Sequence, residues 1–380
     1  MGGSIRLVKV LGIDIRIHYS WLLIFGVVSY WVYTDFRAAE YSQELSALLA
    51  VGASAALFLC ILAHELAHSV VAVRSGIPVR SITLFVLGGV ASISREAERP
   101  GTEVLMALAG PACSLAIGLA CGAAWFATGG NDGEVSAYRD LLFWVASLNV
   151  MLGGFNLLPG FPMDGGRVLR AAIWRITGDY RRATRIASVV GQALGWLIAG
   201  AGAGVVIAYL FIGSGPLDAY NGLWFILMGL YLSSIASSSY RQVVLREAMR
   251  GITAASAMAS DFMTVPPGMS LLQIVRDYVE PNRYRSFVVA TDGRFQGVVN
   301  VENIRRVPDS RWGVTTAGSV MTPAGSVVTA TPEDDGLGLA AKMDQFRLDG
   351  IPVVREGTVV GVVTRGSLAR AVQMRARSEE

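Results

Sequence analysis

The first 240 residues contain six apolar runs, at about 19–34, 46–73, 103–127, 140–158, 186–212 and 221–239. A ~30 Å hydrocarbon core is crossed by about 20 apolar residues in helical form. Lipid offers no partner for a bare N–H or C=O, so runs of this length and spacing predict a bundle of about six membrane-spanning helices. The fourth run is the least regular, because Gly153, Gly154, Pro159 and Pro162 interrupt its end. Only 16% of the chain is charged, against about 25% in ordinary globular domains. The deficit lies before residue 240, and the remainder reads as a soluble domain. No small-residue cleavage site follows the first run, so it is expected to stay in the protein.

Lys and Arg in the connections set the expected orientation. One side holds Arg6, Lys9 and Arg16, then Arg74, Arg80, Arg95 and Arg99, then six arginines between Arg167 and Arg185, and finally Arg241, Arg246 and Arg250. The other holds Arg37 and Arg139 beside Asp35, Glu40, Glu44, Asp132, Glu134 and Asp218. This asymmetry predicts a multi-pass cell-membrane protein with its N-terminus, its 74–102 and 160–185 loops and its C-terminal domain in the cytoplasm. A net charge of +3 gives no ground for a nucleic-acid partner. Cys60, Cys113 and Cys121 sit in apolar runs without C-x-x-C spacing and read as small buried side chains.

The second run contains His64-Glu65-Leu66-Ala67-His68. On a helix the two histidines lie one turn apart on one face. Two neutral imidazoles so placed can bind one Zn2+, and the carboxylate between them can handle the proton of a water at the metal. Ionisable groups at membrane depth cost roughly 2.5–3.5 kcal/mol on insertion scales, which makes them functional candidates. Two of the chain's three histidines fall in this motif.

A catalytic zinc usually takes three protein ligands. Cys60 fails on geometry, since residues 60 and 68 are about 12 Å apart along a helix. His18 is one candidate, although beside Tyr19 and Trp21 it also reads as an interfacial imidazole. Asp164 is the better one. It lies in Asn156-Leu-Leu-Pro-Gly-Phe-Pro-Met-Asp164-Gly-Gly-Arg167, where two prolines prevent regular helix and the glycines permit unusual backbone. Such backbone at membrane depth is tolerated where it lines a cavity or is buried in protein.

His64-Glu65-x-x-His68 followed by Asn156-x-x-Pro159-x-x-Pro162-x-Asp164-Gly165 resembles the site-2 protease family of intramembrane zinc metalloproteases, over roughly residues 1–240. Met163 stands where the family often has Leu. The resemblance implies that His64, His68 and Asp164 bind one zinc and that Glu65 is the general base. It further implies that Asn156 positions substrate or stabilises the oxyanion, and that the substrate is a transmembrane segment of another membrane protein. Residues 79–94, rich in β-branched side chains and broken by Gly88-Gly89, predict a β-hairpin whose edge can hold an extended substrate.

After a linker at 241–256, residues 257–312 and 313–376 form an imperfect repeat. Asp261-Phe-Met-Thr264 matches Ser319-Val-Met-Thr322, and Gly297-Val-Val-Asn300 matches Gly361-Val-Val-Thr364. Each copy reads as a helix (271–280; 333–347), two strands and a closing helix (301–306; 366–374). The tandem resembles a pair of α/β cystathionine-β-synthase (CBS) domains, which implies an adenine nucleotide between the copies and a homodimer through them. The family's ribose pattern ends in Asp. Here the corresponding positions give Asn300 and Asn303, then Thr364 and Ser367. A ligand-free regulatory or dimerising module therefore stands beside the nucleotide reading. The rival function from another class is a membrane transporter or channel gated by the repeat pair, which needs no His-Glu-x-x-His.

Overall fold

The computed structural model describes residues 3–86, 88–93, 95–129, 137–212, 219–280, 286–346 and 348–378. Asp132, Glu134 and Asp218 of the charge pattern, Leu87 and Ser94 of the hairpin and Arg347 of the second repeat lie outside them. The chain divides into two compact units, Met1–Val243 and Val244–Glu380.

The first unit begins with strands β1 (Ser4–Val10) and β2 (Ile13–His18) and helices α1 (Ser20–Ala38) and α2 (Gln43–Arg74). Strands β3 (Val79–Phe85) and β4 (Gly88–Ile93) follow, then helices α3 (Pro100–Ala127), α4 (Ala137–Asn156), α5 (Asp164–Thr177), α6 (Tyr180–Ile212) and α7 (Ala219–Met249). Each apolar run coincides with a long helix. Four of them, α2, α3, α6 and α7, are long and apolar enough by themselves to cross a membrane. Helices α1 and α4 have 19 and 20 residues and carry charge near one end, Asp35 and Arg37 in α1 and Arg139 and Asp140 in α4.

The expected hairpin is half of a larger sheet with strand order β1-β2-β3-β4. β1 and β2 pair antiparallel, as do β3 and β4, while β2 and β3 run parallel with Asp14 opposite Ser81 and Ile17 opposite Leu84. In Ile13-Asp14-Ile15-Arg16-Ile17 alternate residues face alternate sides. Ile13 and Ile15 pack with Ala72, Ile77, Val79, Ile82 and Met106, so the sheet closes over the C-terminal part of α2 and the start of α3. The 160–185 loop also contains more order than expected. Its residues 164–177 form α5, whose apolar and arginine positions alternate at helical spacing, ending at Gly178 in the left-handed region.

The second unit has one sheet, ordered β5 (Thr264–Val265), β6 (Ser286–Thr291), β7 (Arg294–Asn300), β10 (Thr358–Thr364) and β9 (Gly350–Arg355), with β8 (Thr322–Pro323) paired to β7. Its two hairpins turn at Asp292-Gly293 and Glu356-Gly357, all four residues at positive φ, which suits the twist of the flanking strands. The repeats exchange their leading segments. Ile252 and the short helix α8 (Ala254–Ala257) pack in the core of the second copy with Leu339, Ile351, Val353 and Leu368. Ala317, which opens the second copy, packs in the core of the first with Leu271, Phe287 and Val299. Part of the segment read as linker is thus core, and the helix of the second copy begins at Gly336, three residues later than expected.

Candidate metal centre and active site

Helix α2 carries His64 and His68 on its buried face. Their Nε2 atoms lie 3.2 Å apart. Asp164 arrives from the first turn of α5, its Oδ2 3.2 Å from His64 Nε2 and 3.0 Å from His68 Nε2. Gly165 and Gly166 permit this approach: a Cβ at either would strike the backbone of Leu157, Leu158 or Gly160 in the turn that wraps the start of α5.

Helix α3 orients both rings. His68 Nδ1 is 2.6 Å from the Met106 carbonyl and must donate to it, which leaves the lone pair of a neutral His68 on Nε2. His64 Nδ1 is 2.9 Å from Ser114 Oγ. Two imidazole nitrogens and a carboxylate oxygen converge, the His68 lone pair among them, and with His64 Nδ1–H donating to Ser114 the His64 lone pair would join it, an arrangement that suits a cation. Zinc bonds of about 2.0–2.1 Å in a tetrahedral shell place neighbouring ligand atoms about 3.3 Å apart, close to the triangle found here. Gly110 completes the cradle. A Cβ there would fall on His68 Nε2 and lie 2.6 Å from His64 Nε2, in the space that an ion needs. The residues present fit zinc.

Glu65, between the two histidines on α2, lies against β4. A Cβ on Gly89 would come within 2.6 Å of Glu65 Cγ and 3.2 Å of its Cδ. Asn156 ends α4 and donates its amide N–H to Leu152 O at 2.9 Å, within its own helix. The structure does not bond it to the histidine–aspartate cluster. His18 is engaged elsewhere: its Nδ1 accepts the Ser20 N–H at 3.2 Å and meets Ser20 Oγ at 2.8 Å, at the start of α1.

The model of peptidase family M50 matches residues 52–137 and 131–198, and that of the CBS domain matches 254–310 and 317–374. The chain is 34% identical over 378 residues to sll0528 of Synechocystis sp., which bears a zinc-metalloprotease name, covering 98% of this chain and 96% of the relative. This chain belongs to the M50, site-2 protease family. It is 32% identical over 378 residues to Rip3 of Mycobacterium tuberculosis, with 98% and 94% coverage and the same kind of name. A solved site-2 protease from Methanocaldococcus jannaschii matches at 30% identity over 63% of this chain and 95% of its own, with a TM-score of 0.41.

The protein is accordingly a zinc-dependent intramembrane endopeptidase with a C-terminal CBS pair, acting on membrane-protein substrates in the bilayer. The transporter reading is not favoured. Met106, Gly110 and Ser114 were not singled out in the sequence. The available signal was Gly110-Pro111 inside an apolar run, since small residues let helices approach closely in membranes.

The CBS positions matched to the ribose pattern cap two helices. Asn303 N–H donates to Asn300 Oδ1 at 2.8 Å and Asn300 N–H to Asn303 Oδ1 at 3.2 Å, a reciprocal cap on the helix Val301–Arg305. Thr364 and Ser367 cap the helix Arg365–Ser378 in the same way, at 2.9 and 3.0 Å.

Proposed function

We propose that His64 Nε2, His68 Nε2 and Asp164 Oδ2 hold one Zn2+ and that Glu65 is the general base for hydrolysis of a peptide bond in a transmembrane segment. The observation that carries this reading is the buried convergence of the three ligand atoms within 4.8 Å of one another. Bound there, the ion supplies Lewis acidity, polarising the scissile carbonyl and drawing the pKa of a bound water toward about 7. Glu65 takes the proton of the attacking water and passes it to the leaving amine. His64 and His68 are buried on α2 and Glu65 beside them is half-buried, which limits the access of bulk water to the site. Asn156, at the end of α4, is proposed to position substrate or stabilise the oxyanion, which rests on the family resemblance.

Strand β4 supports the substrate's conformation. It is an edge of the sheet, and Gly89 brings it directly against Glu65. An extended segment added to that edge would run past the base with its amides held.

The charge pattern supports cytoplasmic placement of the N-terminus and the CBS pair. The CBS pair is proposed to regulate cleavage as a dimerising or protein-docking module, with the adenine-nucleotide reading as the alternative that titration tests.

The direct test uses purified protein and a transmembrane substrate. Glu65→Gln should retain zinc and lose proteolysis by more than the 10²–10⁴-fold typical of one general base. Substantial cleavage by this variant would remove Glu65 from the mechanism. A zinc chelator should abolish cleavage by the parent protein, and added zinc should restore it.

A further inference from the structure

Asp164 reaches the histidines from an element that does not lie along their helix. Helix α5 packs on α3 and α6, whereas the histidines stand on α2, which packs on α3. The third ligand is therefore delivered through α3, and its position depends on how α5 is fixed there.

The fixing contact is a buried ion pair. Arg170 of α5 donates from Nε at 2.7 Å, and also from its terminal nitrogen, to Glu103 Oε1 at the start of α3. Glu103 is 1% exposed and Arg170 8%. The guanidinium is also clasped by two rings. Its Cζ lies 4.9 Å from the centroid of Phe161, in the turn that wraps the start of α5, and 4.7 Å from that of Tyr180, the first residue of α6. Tyr180 in turn donates its hydroxyl to Glu96 Oε2 at 2.6 Å, in the segment between β4 and α3.

One side chain thus ties α5 to α3, to the 157–163 turn and to α6. Glu103 lies one turn from Met106, whose carbonyl orients His68, and Arg170 lies six residues from Asp164. A buried ion pair of this kind contributes little net stability against apolar substitutes, so stability alone does not account for its place here.

We propose that Arg170, paired with Glu103, is a positioning residue for the metal centre, setting the distance between Asp164 and the histidine pair. The inference rests on Asp164 being a zinc ligand. Partners outside the ligand shell typically change metal affinity 10–100-fold when removed, and sites of this kind need their ligands held within about 0.5 Å.

The test measures zinc affinity of the full-length protein in detergent by competition with a chromophoric chelator, and thermal unfolding of the same samples without zinc. Glu103→Gln combined with Arg170→Met removes both charges, so no unpaired ion is left buried. The double variant should unfold within a few degrees of the parent yet bind zinc at least about 10-fold more weakly. A folded double variant with parental zinc affinity would overturn the proposal, because it would show the pair to be structural only.

Arg170→Lys, which keeps the charge but loses the two-pronged bond and the ring stacking, covers the case in which the double variant does not fold. It should also bind zinc at least about 10-fold more weakly, and parental affinity would again overturn the proposal. Asp164→Ala, run in parallel, separates the two ideas. Parental affinity in that variant removes Asp164 from the ligand set. Loss there with parental affinity in the Arg170 variants removes only the strut.

Discussion

At the scale of single residues, the centre depends as much on missing atoms as on present ones. Gly110→Ala adds one methyl group, yet that carbon would occupy the space between the imidazoles. Zinc content measured by atomic absorption should fall well below one per chain in this variant, while the helix gains propensity from the same change. Full occupancy would mean that the ion sits elsewhere. Ser114→Ala is expected to be milder, weakening zinc about 10-fold through loss of the His64 partner. His18→Ala should leave zinc unchanged, since its ring is spent on Ser20. The histidines and Asp164 were legible in the sequence because ionisable groups in apolar or proline-broken segments have few other reasons to be there. Met106 was not, because it takes part through a backbone carbonyl, which every residue type carries.

At the scale of elements, helices were far more legible than strands. Twenty consecutive apolar residues announce a helix in lipid, whereas β1 and β2 are short and crowded with Arg6, Lys9, Asp14 and Arg16. The period-2 pattern of β2 emerges once Ile13 and Ile15 are seen to be buried, whereas β1 is exposed along nearly its whole length. Gly88-Gly89 was read as the break of a hairpin. Its second glycine has another role, which is to let β4 lie on Glu65. Gly89→Ala should push the Glu65 side chain out of place without touching a zinc ligand. Turnover of a transmembrane substrate should drop at least about 10-fold, since a displacement near 1 Å can cost 10²-fold, and zinc content should stay parental. A loss of zinc in this variant would place β4 among the metal's supports instead. Parental turnover would show that Glu65 does not depend on the strand for its position.

At the scale of the whole molecule, the boundary between the two units is a matter of composition, but the internal division of the second is not. The repeat begins before Asp261: Thr253-Ala-Ala-Ser-Ala-Met258 recurs as Thr316-Ala-Gly-Ser-Val-Met321, each a four-residue helix between the same Thr and Met caps, so the structure shifts the register that matched Asp261–Thr264 to Ser319–Thr322. The structure places Ile252, Ala254 and Ala257 inside the second copy, where Ala254 N–H donates to Asp334 O at 2.8 Å and Gly336 N–H donates to Ile252 O at 2.8 Å. A fragment of residues 251–380 should therefore fold alone and unfold cooperatively, while one of residues 260–380 lacks a wall of its second core and should be unfolded or much less stable. Ile252→Ala in the longer fragment isolates the largest part of that loss. It should lower stability by about 2–5 kcal/mol, as for other buried Ile truncations, measured by urea denaturation with circular dichroism. Equal stability of the two fragments would show that the exchanged segment contributes nothing. The folded fragment then decides the regulatory question by calorimetric titration with ATP, ADP and AMP. Asn300, Asn303, Thr364 and Ser367 already close their helix caps on one another, and no Asp stands at 303 or 367 to receive a ribose, so no heat of binding is expected up to millimolar nucleotide. Saturable binding would overturn that expectation, and the ligand would then alter proteolysis only through a difference in its affinity for the active and inactive states.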